Sequence, residues 1–184
     1  MEYSDLQKVI HGINAGKKEY SKPVPIGLEK SYIYQFAESI SKKYRESLEI
    51  KDSNNINLFE FVDYVKGKTH CVSIDDFLKS GSIYVHAKES FDIVLPTFTS
   101  PIRDRFTIAH EMGHYYLHSL GGDKKIWADR KGSGQVEWEA NWFAASFLMP
   151  RYLISKLKIK TEEEMMEEFG VSSDAAKYRL AYKG

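Results

Sequence analysis

Two histidines and a glutamate stand at His110-Glu111-Met112-Gly113-His114, the spacing H-E-x-x-H. Four residues advance a helix by about 400°, so both imidazoles project from one face, one turn apart, where they can share a cation. Neutral imidazole is a good zinc ligand. Glu111, beside His110, can reach a water on such an ion and take its proton without ligating the ion itself. A catalytic zinc site needs a third protein ligand and an open fourth position. Glu137 and Asn141 follow at i and i+4 of a second helical stretch, with Glu137 placed to ligate and Asn141 to hydrogen-bond a ligating histidine. Glu139 competes with Glu137, but it lies about 200° round the helix and should face away. His118 is the other competitor. Eight residues beyond His110 it has risen about 12 Å, so it reads as an orienting, substrate-facing or simply buried histidine.

These residues need rigid elements. Ser100 as N-cap and Pro101 in the first turn open a helix running through Phe106, Ile108, Met112 and Tyr116 to about Leu120, where Gly121-Gly122 stops it. A second helix covers about Gln135 to Met149. Pro150 then opens a short one containing Tyr152, Leu153 and Leu157. Ala109, Gly113, Ala140, Ala144 and Ala145 are small enough for close helix packing. Between the two signature helices, DKKIWADRKGSGQ (Asp123–Gln135) is basic and aperiodic and reads as a mobile surface loop.

Upstream, Ser4–Ile13 reads as a short helix and Ser21–Gly27 as a turn or linker. Ser31–Leu48 places Ile33, Phe36, Ile40, Tyr44 and Leu48 on one helical face. Asp52–Asn55 breaks the pattern. Asn57 with Glu60 is a capping box for a helix reaching Gly67. His70–Ile74 reads as a strand, with Cys71 a buried small residue in it. Ser82–His86 and Phe91–Leu95 form a hairpin across AKES, its first strand offering an edge to an extended peptide. Thr161 with Glu164 caps a helix to Gly170, and a last helix runs from about Ser173 to Tyr182. His86 and Tyr152 are further substrate-facing candidates, alongside Tyr115, Tyr116 and Arg151 as oxyanion stabilisers.

With 184 residues, 42% of them hydrophobic, the chain can build its own core. Twenty-six basic residues balance twenty-six acidic ones, which argues against nucleic-acid binding through a general basic surface. The last helices have the outline of a helix-turn-helix, yet Thr161–Gly184 carries six acidic and three basic residues, an arrangement that repels phosphate. A lone cysteine excludes a disulfide framework, and no leader or membrane-length apolar run is visible, so the expected compartment is cytoplasmic.

RFTIAHEMGHYYLH (Arg105–His118) and EWEANWFAASFLMP (Glu137–Pro150) resemble the ImmA/IrrE family of zinc metallopeptidases, with a weaker likeness from about Ser31 to Leu157. The resemblance implies zinc on His110, His114 and Glu137, with Glu111 as catalytic acid/base, in agreement with the spacing argument. Mn2+ or another divalent ion is compatible with the same donors. It implies a protein substrate, namely a separate helix-turn-helix repressor whose cleavage derepresses phage, mobile-element or stress genes. The expected fold is α+β and zincin-like, helix-rich with a small, mainly antiparallel sheet. Residues 1–30 form a helical or linker segment, 31–158 the peptidase domain and 159–184 a helical tail.

Overall fold

The computed structural model of the chain describes residues 19–50, 56–79, 82–129 and 132–182. The helix expected at Ser4–Ile13 and the break at Asp52–Asn55 lie outside these. The described elements are α1 (Lys30–Ser47), α2 (Leu58–Tyr64), β1 (Lys68–Val72), α3 (Ile74–Lys79), β2 (Ile83–Ala87), β3 (Ser90–Pro96) and α4 (Pro101–Gly113). A π turn (His114–His118), β4 (Ile126–Ala128), α5 (Gln135–Leu148), α6 (Arg151–Lys156), α7 (Glu162–Phe169) and α8 (Ser173–Ala181) follow. The architecture is α+β. Helices pack on a four-stranded sheet in the order β1-β3-β2-β4. β2 is antiparallel to β3 and β4, while β1 lies parallel to β3, so the sheet is mixed.

Local chemistry sets several boundaries. Asn57 Oδ1 accepts from the Phe59 and Glu60 amides and Ser100 Oγ from the Arg103 amide; each satisfies donors that a helix start leaves over. Thr161 and Glu164 close a reciprocal capping box.

Four expectations are corrected. The buried face of α1 is Ile33, Tyr34, Ala37, Ser41, Tyr44 and Arg45, while Phe36 and Leu48 are more than two-fifths exposed. The small Ala37 and Ser41 let α1 lie close on α5, where Ser146 Oγ donates to the Tyr34 carbonyl at 3.0 Å. The supposed loop Asp123–Gln135 contains β4, because Ile126 and Ala128 are buried against β2 at alternate positions. β2 itself is paired on both sides and offers no edge. Cys71 points to the exposed face of β1, opposite the buried His70 and Val72.

Ile83, Val85, Ile93 and Leu95 of the sheet meet Ile108 and Met112 of α4 and Phe143 and Phe147 of α5 in one core. Each such side chain stabilises the fold by about 1.5–3 kcal/mol on burial. α4 and α5 cross with almost nothing between them. A Cβ on Gly113 would sit 2.9 Å from Ala140 Cα and 3.2 Å from Phe143 Cβ. The C-terminal helices are folded onto this body. Met165, Phe169, Val171 and Ala176 join the core, and buried Arg179 donates to the Met149 carbonyl at 2.9 Å and to Glu38 at 2.7 Å. Their helix-turn-helix outline is used for packing. Among the described residues no helix is long and apolar enough to cross a membrane.

Candidate metal centre

α4 brings His110 and His114 to one face, as the four-residue spacing dictates, and α5 crosses it with Glu137. His110 Nε2 lies 3.1 Å from His114 Nε2 and 3.1 Å from Glu137 Oε2; His114 Nε2 lies 3.6 Å from Glu137 Oε1. One donor atom from each of the three falls within 4.8 Å of the other two, the one such grouping of metal-ligating side chains among the described residues. Asn141, one turn past Glu137, accepts from His110 Nδ1 at 2.9 Å. The other ring nitrogen of His114 meets His118 Nδ1 at 3.0 Å.

The donor set fits a divalent cation. Both histidines are held through Nδ1, which leaves each Nε2 facing Glu137. Burial, reinforced by the neighbouring rings of His110 and His118, pushes His114 well below the ordinary histidine value, keeping it a neutral ligand. Burial acts the same way on His118 against the pull of Glu139, and His118 ends lowered too. At His110 burial is outweighed by the hydrogen bond to Glu137 and the charges of Glu111 and Glu137, so its value is raised.

His110, Glu111 and Glu137 line a cleft of about 290 Å3 between α4 and the sheet. Glu111 is buried at its floor. Arg103, Thr107, Ser82, Phe98 and Asp129 are among the other residues of its walls. Sequence reading missed Arg103 and Thr107. They precede His110 by seven and three residues, so the helical period that pairs His110 with His114 places them on the same face. A larger apolar cavity, about 640 Å3, lies between α5 and α8 with Asn141, Trp138, Trp142 and Tyr178 in its walls. It holds none of the three converging side chains, so the chemistry belongs to the smaller cleft.

The remaining candidates separate clearly. His118 does not reach the cluster and touches it through His114, because the π turn carries it beneath that ring. Glu139 faces away from Glu137, as expected, and is fully buried against His118 at 3.0 Å. His86 and Tyr152 do not line the cleft. His86 is held by Tyr20 and Asp92 within the sheet, and Tyr152 lies on α6, about one-third exposed. The Tyr115 hydroxyl accepts from the Glu89 amide, and Arg151 donates to the Tyr182 carbonyl, so neither is directed at the cleft. Gly132, just past β4, lies so close to Glu137 that a Cβ there would be 2.1 Å from its Oε1. A side chain at this position would push the carboxylate aside.

The family model described as the IrrE N-terminal-like domain, a peptidase family, matches residues 73–181, more than half of the chain and all of the site. The chain belongs to this family. It is also similar to "Metallopeptidase ImmA" of Bacillus subtilis (strain 168), 22% identical over 147 residues, 77% of this chain and 85% of that protein. An IrrE-like domain of the metallopeptidase kind implies a divalent metal, and the His110, His114 and Glu137 grouping is where this chain can hold one.

Proposed function

We propose that the protein is a zinc-dependent endopeptidase of the cytoplasm, with His110, His114 and Glu137 as ligands and Glu111 as general acid/base. The observation that carries this reading is the convergence of His110, His114 and Glu137 at a cleft that His110, Glu137 and buried Glu111 line. Zn2+ there, or another divalent ion such as Mn2+, would polarise a peptide carbonyl and acidify a water molecule. Glu111 takes the proton of the attacking water and returns it to the departing amine nitrogen. Asn141 fixes the ring of His110 through Nδ1, and the burial of His114 keeps it unprotonated for ligation. Arg103, which lines the cleft, would favour negative charge on the carbonyl oxygen.

The substrate class we propose is a helix-turn-helix transcriptional repressor, as the family resemblance implies, with cleavage derepressing phage, mobile-element or stress genes. The balanced overall charge and acidic C-terminal helices support a protein substrate over direct nucleic-acid binding. A second reading is a metal-dependent anti-repressor that sequesters its partner without cutting it. The apolar cavity with its half-exposed Trp138 and Tyr178 gives that reading a surface.

The test is incubation of a genetically neighbouring repressor with wild type, Glu111→Gln and chelator-treated protein, with product masses read by mass spectrometry. A discrete cut by metal-loaded wild type alone supports the peptidase. An intact repressor bound equally by wild type and Glu111→Gln moves the assignment to sequestration.

A further inference from the structure

The hydrogen bonds of Glu139 define its orientation. The side chain is fully buried. Oε2 accepts from the Ile26 amide at 3.0 Å and from His118 Nε2 at 3.0 Å; Oε1 accepts from the Gly27 amide at 3.1 Å and from Gln135 Nε2 at 3.0 Å. The two amides and Gln135 occupy three acceptor positions of the Glu139 side chain, and His118 Nε2 meets the fourth. A neutral His118 that donates from Nε2 to Glu139 presents a lone pair at Nδ1. The atom 3.0 Å from that lone pair is His114 Nδ1, which therefore carries the next hydrogen. What remains of His114 is a lone pair at Nε2, facing Glu137 and His110. The chain of donors runs in one direction, from His114 through His118 to Glu139.

We propose that Glu139 and His118 are positioning residues of the metal centre, and that the Ile26–Gly27 amide pair, far off in sequence, is a working part of it. The inference rests on His110, His114 and Glu137 being the ligands. Residues 26 and 27 lie outside the stretch 73–181 matched by the family model. Gly27 has φ +69°, a left-handed conformation that other residues rarely adopt, so the chain turns away directly after the amide pair that meets Glu139. No atom lies within 4 Å of where its Cβ would be, so a substitution there strains only the backbone. The neighbouring segment is pinned separately. Tyr20 donates to His86 at 2.6 Å, Ser21 exchanges backbone bonds with Lys125 and Trp127, and Lys22 lies 3.0 Å over the Trp127 ring. Straining the backbone at Gly27 thus shifts the turn that holds its amide on Glu139 without detaching the segment.

The experiment measures zinc affinity by competition with a chromophoric chelator, the visible spectrum of the Co2+ form, and the melting temperature of the metal-free protein. It compares wild type with Glu139→Gln, His118→Ala and Gly27→Val. Glu139→Gln and His118→Ala are expected to weaken zinc binding by about 10- to 100-fold and to alter the cobalt bands. Gly27→Val is expected to weaken it severalfold while the metal-free protein melts close to wild type. Wild-type affinity and cobalt bands in all three variants, with only melting lowered, would reduce the network to a structural role and overturn the proposal. If Glu139→Gln fails to fold, Gly27→Val decides by the same readouts. A wild type that binds no metal would overturn the ligand assignment and this inference together, whereas tight wild-type binding with indifferent variants overturns the inference alone.

Discussion

Two clusters of histidine and carboxylate occur in this fold, built from the same side-chain types and pointing to opposite uses. In the sheet, His70 Nε2 donates to Asp92 Oδ1 at 2.5 Å and His86 Nε2 donates to Asp92 Oδ2 at 2.6 Å, with the Tyr20 hydroxyl donating to His86 Nδ1 at 2.6 Å. Each carboxylate oxygen has its own imidazole, and the cluster ties β1, β2 and β3 to the segment before α1. In the helix pair, Asn141 and His118 take up the Nδ1 positions, and the lone-pair faces of His110, His114 and Glu137 turn on one another. The sheet cluster pairs donors with acceptors. The helix cluster gathers acceptors around a common point, which is unfavourable until a cation or a proton is placed among them. What distinguishes a metal centre from a clamp here is the partner of the outer ring nitrogen.

That contrast can be broken at several levels. The largest effect is expected at Glu111. Glu111→Gln should lower peptide hydrolysis by about 10²- to 10⁴-fold with zinc content unchanged, whereas His86→Ala should leave the chemical step intact. Comparable losses in the two variants would place the sheet cluster in the reaction. The next effect is on metal affinity. Asn141→Ala, which frees the ring of His110, should weaken zinc binding about 10-fold or more, while Asp92→Asn leaves it as it was; chelator competition on both variants measures this.

Stability should respond the other way round. Asp92→Asn breaks the paired bonds of two imidazoles and should cost about 1–3 kcal/mol, read by denaturant unfolding. An unchanged midpoint would show that the clamp carries no load. The smallest effect is one of pH. Burial opposes ionisation of Asp92, but the hydrogen bonds of His70 and His86 prevail and hold its carboxyl well below the usual carboxylate range. A carboxylate lowered in the folded state contributes stability in full above its unfolded value of about 3.9, and that contribution is lost as pH falls below it. Melting temperatures should therefore drop more steeply below about pH 4 in wild type than in Asp92→Asn. Parallel curves would contradict this origin of the acid sensitivity.

How much of each cluster could be read beforehand follows from the kind of contact that builds it. The signature of α4 and the placement of Glu137 and Asn141 depend on helical period alone, so spacing was enough to group them. Ser100, Asn57 and Thr161 announced their helices because caps are local hydrogen bonds. The sheet cluster joins residues from three strands and from the segment before α1, and no local spacing brings Tyr20, His70, His86 and Asp92 together. The same holds for Glu139. Its position facing away from Glu137 was legible, but its four partners come from Ile26, Gly27, His118 and Gln135. β4 was missed because three residues are too few for an alternating pattern to stand out among lysines and glycines. On α1 the large residues drew attention, while the buried stripe runs through Ala37 and Ser41, where smallness permits the approach.

The contact between Gly113 and Ala140 has a consequence for how such a protein can change over time. Because Gly113 of α4 lies directly on the Ala140 main chain and the Phe143 Cβ of α5, the gap at this crossing between the helix bearing the imidazoles and the helix bearing the carboxylate is set by backbone thickness. Large core side chains elsewhere can be exchanged, and the cleft walls remodelled for a new substrate, without resetting the bite of the donors. The crossing works as a fixed calliper, and the rest of the molecule is at liberty to vary around it.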